Sequence, residues 1–164
     1  MSRRGPVLQA ARGVDPSLGI YGLDLTAGCG HGCTYCYIRG TARYPGEGLM
    51  RFDPATQERL VAMLDSMPRP PRQVVMSPAS DPLPPDRDVR AEALRVARTL
   101  LERGIPVSIM TRGRVGRRMI ELLARYPKLA RVAVGISTRS RELTWALEPN
   151  AAPPDVRLQG IPAD

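Results

Sequence analysis

Four short apolar runs, separated by helical patterns and each followed at once by polar residues, constrain this chain more than any other feature. The runs are "GIYGLDL" (residues 19–25), "QVVMS" (73–77), "IPVSIM" (105–110) and "RVAVGIS" (131–137). Between them, "FDPATQERLVAMLDSM" predicts a helix with Asp53 as N-cap and Pro54 at its first position. Leu60, Val61 and Leu64 share one face, and Pro68, Pro70 and Pro71 stop it. A second helix is capped by Asp86 or Asp88 and carries the stripe Val89, Ala93, Val96, Ala97, Leu100 and Leu101, with Gly104 just past its end. Met119, Ile120, Leu122 and Leu123 mark a third helix, ending before Pro127. Strand and helix in alternation imply a parallel sheet with crossover helices, an α/β fold. In such folds the C-terminal strand ends share one rim, and that rim carries the chemistry. The cysteine loop after residue 25, "SPASDP", "TRGR" and "STRSRE" are therefore expected to face one another. Residues 1–18, with Gly5, Pro6, Gly13 and Pro16, read as an irregular lead-in to a core over 19–164, and the proline-rich tail offers no further strand, its "APPDVRLQGIPAD" looking like the entry into a fourth helix.

A length of 164 residues at 43% hydrophobic suits one domain. No apolar run approaches the ~20 residues that span a bilayer, and the basic start has no apolar segment behind it, so the expected location is the cytoplasm with reduced thiols. The formal charge is +8, and Lys128 is the only lysine among 24 basic residues. Such a charge permits contact with nucleic acid without requiring it. Its densest part, Arg112, Arg114, Arg117 and Arg118, reads first as a solvated loop and helical turn.

All three cysteines and the only histidine lie in "GCGHGCTYCYIRG", residues 28–40. Cys29, Cys33 and Cys36 have the spacing C-x3-C-x2-C. Three thiolates in one loop can hold three corners of an iron–sulfur cube, and with no fourth cysteine one iron keeps an open position, the mark of a catalytic site. Two alternatives compete. A structural zinc on the three cysteines and His31 would crowd a tetrahedron, because His31 is two residues from both Cys29 and Cys33. A dithiol redox pair in "CTYC" leaves Cys29 unexplained.

The loop also resembles the radical S-adenosylmethionine (SAM) signature, with an aromatic residue, Tyr35, before the last cysteine. The longer form C-x-H-x-C-x-Y-C-Y-x-R is similar to that of the spore photoproduct lyase-like branch. "SPASDP", "PVSIMTRG" and "VAVGISTRSRELTWALEPNAAPPDVRLQGI" resemble later segments of that branch in the same order. Ser80, Arg112 and "DLTAGC" depart from its common Thr, Lys and Asn-Pro-Tyr. The resemblance implies a partial TIM-like barrel, of which about four parallel βα units are visible, so that the core looks incomplete at its C-terminal end. It implies a [4Fe–4S] cluster on Cys29, Cys33 and Cys36 that binds SAM, and an electron donor such as flavodoxin or ferredoxin. Reductive cleavage of SAM would give a 5′-deoxyadenosyl radical that takes hydrogen from a substrate. It places Tyr35 near the adenine, Ser80 and Asp81 near the SAM amine, and Thr111, Ser137 and Thr138 near the ribose or carboxylate. Arg157 could pair with a carboxylate, although a surface ion pair is the plainer reading. The substrate stays open, nucleic acid included. An inactive fragment of such an enzyme and a zinc-bearing nucleic-acid-binding module are the rival readings. If the fourth strand is an open edge, self-association or a second polypeptide completing the barrel is expected.

Overall fold

The computed structural model of the chain describes residues 5–11 and 14–159. In chain order its strands are β1 (Gln9–Ala10), β2 (Ile20–Leu23), β3 (Thr26–Ala27), β4 (Arg51–Phe52), β5 (Gln73–Met76), β6 (Val107–Thr111) and β7 (Ala130–Val134). The helices are α1 (Thr56–Ser66), α2 (Arg87–Glu102), α3 (Arg117–Ala124), α4 (Arg141–Leu147) and α5 (Pro154–Leu158). The main sheet runs β1-β2-β5-β6-β7, and β2, β5, β6 and β7 are mutually parallel. Strand order follows the chain without reversal, which is how the wall of a βα barrel grows and a doubly wound sheet does not. The fold is α/β with four parallel strands, as the alternation of patterns predicts.

One face of this sheet is covered. Val74, Met76, Val107 and Ile109 are buried against Leu60 and Leu64 of α1, the apolar stripe of α2, and Met119, Leu122 and Leu123 of α3. On β6 the alternate residues point the other way, and Met110 is 59% exposed. Each crossover lays its helix on the same side, so the opposite face stays open, as the inner wall of an incomplete barrel does.

Three local expectations need correction. The stretch 1–18 is not wholly irregular: Gln9 and Ala10 pair antiparallel with Gly22 and Tyr21, and Leu8 is buried. Without β1 the outer edge of β2 would be left with unpaired backbone groups. α1 begins at Thr56 with Ala55 as its cap; Asp53 accepts from the Ala55 amide at 3.1 Å instead of capping the helix. The polar stretch after β7 is not a loop but folds into α4, capped by the Ser140 hydroxyl on the Leu143 amide (3.3 Å), so that the helix entry expected in the tail is the fifth, α5, which opens on Pro154 where a missing N–H costs nothing. Residues 1–4, 12–13 and 160–164, parts of that lead-in and tail, lie outside the described residues.

Candidate metal and cofactor site

The cysteine loop is an excursion between β3 and β4, which pair antiparallel at its base. It departs at Gly28, whose φ is +85°. A Cβ there would run into the Leu49 carbonyl, so glycine alone lets the two ends of the excursion pass. Thr26 Oγ1 donates to the Gly28 carbonyl at 2.7 Å. Cys29, Cys33 and Cys36 are free thiols, each partly exposed, and all three line one cavity of about 200 Å3. Arg39, in the helical turn Tyr37–Gly40, closes the loop on itself. Its Nε donates to the Cys33 carbonyl at 3.1 Å and its Nη2 to that of Gly32 at 3.2 Å. Burial pushes the Cys29 thiol up to about 12. Burial also raises Cys33, against the pull of the Arg112 charge. Cys29 and Cys33 therefore carry protons at neutral pH, and a metal would displace them on binding.

Asp81 fastens the loop to the sheet from below. β5 ends at Met76 and is followed by Ser77, the non-glycine residue with positive φ (54°) among those described, and the turn brings residues 78–81 under the loop. The Tyr37 hydroxyl donates to the Pro78 carbonyl at 2.7 Å. Asp81 is 5% exposed. Its Oδ1 accepts from the Leu83 amide (2.8 Å) and the Thr111 hydroxyl (2.6 Å), and its Oδ2 from the Arg112 amide (2.7 Å). His31 Nε2 lies 3.1 Å from the same Oδ2 but off the line of a good hydrogen bond. Burial works against ionisation of Asp81, yet His31, Thr111 and the Arg112 amide together hold it below its usual value.

Glu148 fastens the loop from the side. It follows α4 and is 1% exposed. Its carboxylate accepts from the hydroxyls of Tyr35 and Ser137, from Arg157, and from Arg112 Nε at 2.9 Å. The Arg112 guanidinium also lies 5.3 Å from the centre of the Tyr35 ring.

The rim therefore assembles as the strand pattern predicts, but most residues expected to contact SAM are committed to the protein. The oxygens of Asp81 are fully engaged. Thr111 bridges Asp81 and the Gly113 amide (2.8 Å), and Thr138 accepts from the Ser140 amide (3.2 Å) ahead of α4; both do strand-end and capping work. Tyr35 and Ser137 face Glu148. Arg157 is neither at the surface nor open to a ligand: it is 1% exposed, with its fork on Glu148 and on the Gly135 carbonyl (2.7 Å). Ser80 differs. Its hydroxyl is buried without a well-formed hydrogen bond, although it is close enough to favour the charge of Asp24, which burial disfavours. Sequence reasoning missed Glu148, Arg39 and Asn150. The run "LEP" and the Arg of the cysteine motif were the available signals, but nothing in a sequence marks a helix-end glutamate as buried.

The donor set fits a cluster better than a single ion. Among the described residues, no group of three His, Cys, Asp or Glu side chains is arranged to hold a metal ion directly. A tetrahedral zinc needs its ligands at about 2.0–2.3 Å from one centre. A cubane takes each thiolate on a different iron, so its thiols need only border one cavity. His31 faces Asp81 rather than the thiols, Nε2 lying 3.1 Å from Oδ2, and its Nδ1 lies 3.4 Å from the Asn150 carbonyl.

Comparison with known proteins agrees. The family model of the radical SAM superfamily matches residues 23–162, from the end of β2 past α5. The uncharacterized protein ORF301 of Acidianus two-tailed virus is 25% identical over 154 residues, covering 85% of this chain and 49% of the viral protein. The chain thus spans about half the length of that curated relative. No solved structure matches significantly. With a strand-end loop of three cysteines on a parallel sheet, and a family match over most of its length, the chain belongs to the radical SAM superfamily.

Proposed function

We propose that Cys29, Cys33 and Cys36 hold a [4Fe–4S] cluster and that the chain binds SAM beside it, within the spore photoproduct lyase-like branch. The observation that carries this reading is the convergence of the three thiols on one cavity, with no fourth cysteine in the sequence. When bound, such a cluster supplies the electron that cleaves SAM to methionine and a 5′-deoxyadenosyl radical. The chain's own residues do the rest. Arg39 sets the backbone of Cys33, Asp81 holds His31 and the loop above β5, and Ser80 keeps a hydroxyl for a ligand. Tyr35 stays near the adenine, through the ring face away from Arg112. A flavodoxin or ferredoxin would deliver the electron. The charge of +8 favours a polyanionic substrate such as nucleic acid, and the exposed β7 edge a polypeptide that pairs with it.

Anaerobic reconstitution tests the proposal. It should give about four irons and four sulfides per chain, lost in Cys29→Ala, Cys33→Ala or Cys36→Ala but kept in His31→Ala. SAM should change the EPR spectrum of the reduced cluster, and 5′-deoxyadenosine should form with dithionite. Zinc without iron would sink the proposal. A loaded cluster indifferent to SAM would leave an inactive member of the superfamily.

A further inference from the structure

The cysteine loop runs alongside the segment that follows α4. The Thr34 amide donates to the Leu147 carbonyl at 2.9 Å, and the Asn150 amide donates to the His31 carbonyl at 3.1 Å. These bonds cross more than a hundred residues of sequence and bracket Glu148 on both sides. Its carboxylate joins four pieces of chain: Tyr35 in the loop, Arg112 after β6, Ser137 after β7 and Arg157 in α5. Tyr35 lies between Cys33 and Cys36, whose backbones close one turn through the Cys36 amide and the Cys33 carbonyl (3.3 Å). Fixing the Tyr35 hydroxyl therefore fixes the direction in which both flanking thiols leave the backbone.

We propose that Glu148 is a positioning residue for the cysteine loop: through Tyr35 it sets the mutual placement of Cys33 and Cys36, and it makes the order of that loop conditional on the docking of α4 and α5. The proposal rests on the reading that these cysteines hold a cluster. The chemistry is that of a buried carboxylate between two guanidinium groups. Arg157, 1% exposed, is the counter-charge that keeps Glu148 ionised, and ionised Glu148 accepts from the phenol and the serine together. A neutral amide of the same shape can do neither as well. Loop and helices should then open together, as one cooperative unit within the fold.

The test uses the full chain in two states. In the metal-free protein, hydrogen exchange should show the Thr34 and Asn150 amides opening together. Glu148→Gln should speed both on the order of tenfold and leave Val107 and Ile109 in β6 unchanged. Tyr35→Phe leaves Glu148 paired with Arg157 and Arg112 and should speed Thr34 in the same direction. Arg141→Ala breaks the exposed Arg141–Asp155 pair between α4 and α5 without touching Glu148 and should change neither amide. After reconstitution, Glu148→Gln should shift the EPR spectrum of the reduced cluster and slow iron uptake, with recovery in Glu148→Asp. Unchanged Thr34 and Asn150 exchange in both Glu148→Gln and Tyr35→Phe, or a wild-type EPR spectrum in both, would overturn the proposal. A wild-type chain that takes up no iron overturns the cluster reading and the ligand-placing role with it, while the exchange of the metal-free protein separately reports whether Glu148 holds the loop.

Discussion

Glu148 puts a charge where water cannot solvate it, so its protonation state is tied to folding. Burial opposes the charge, but Ser137, Tyr35 and Arg157 hold the carboxyl at about 2, against an ordinary 4.5. The folded value lies below the unfolded one. Its contribution is therefore complete above pH 4.5 and disappears as pH falls through about 2. At neutral pH it is worth roughly 3 kcal/mol. Urea titrations of wild type and Glu148→Gln, followed by fluorescence of Trp145, the sole tryptophan, should show a gap of that order at pH 7. The gap should narrow as pH falls below 4.5; a gap constant with pH would mean that shape, not charge, is what the substitution removes. The cysteines were legible because their chemistry lies in their spacing. Glu148, Asn150 and the fate of Arg157 were not, because each is defined by a partner far away in sequence. For the same reason the hydrogen bond by which Thr111 holds Asp81 was not legible.

At the scale of elements, helix caps divide into local and distant ones. Asp86 caps α2 as its sequence suggests, accepting from the amides of Asp88 (3.0 Å) and Val89 (2.9 Å). α1 has no side-chain cap of its own. Its Gln57 amide donates at 2.6 Å to Glu92, a residue of α2 that is fully buried and also held by Arg95 at 2.8 Å. A free amide in the first turn of a helix favours a carboxylate from any source, and only the packing of α1 on α2 shows where this one comes from. Glu92→Ala should cost about 1–3 kcal/mol, read as a lower Tm by calorimetry, with the iron content after reconstitution unchanged. Lost iron at an unchanged Tm would contradict a capping role. The apolar stripes of α1 to α3 were legible over several turns. α5 falls where "APPDVRLQGIPAD" suggests the entry into a helix, but α4 was not legible, since seven residues offer too few positions for a period to register.

For the whole molecule the telling quantity is how unevenly the sheet is covered. Ile109 is buried, whereas its register partner Val132 on β7 is 39% exposed on the same face. Leu143 and Trp145 of α4 are more than half exposed. Exposed apolar side chains beside unpaired backbone groups favour association through the edge. Light scattering should show an average mass that rises with protein concentration, and Val132→Lys should reduce the rise; a concentration-independent monomer in wild type would exclude pairing at β7. Parallel order and the shared rim could be read from alternation alone, whereas the bareness of one face depends on which side each crossover takes.

β1 gives this asymmetry a direction. It is two residues long, runs against its neighbours and occupies the outer flank of β2, so a strand arriving there finds almost no ladder to join. β7 offers five residues. The sheet is a template with a single growing end. A parallel strand accreting at that end would finish beside Gly135, which follows β7. A polypeptide that extended the sheet at that end would therefore deliver the side chains at the C-terminal end of its strand to the rim.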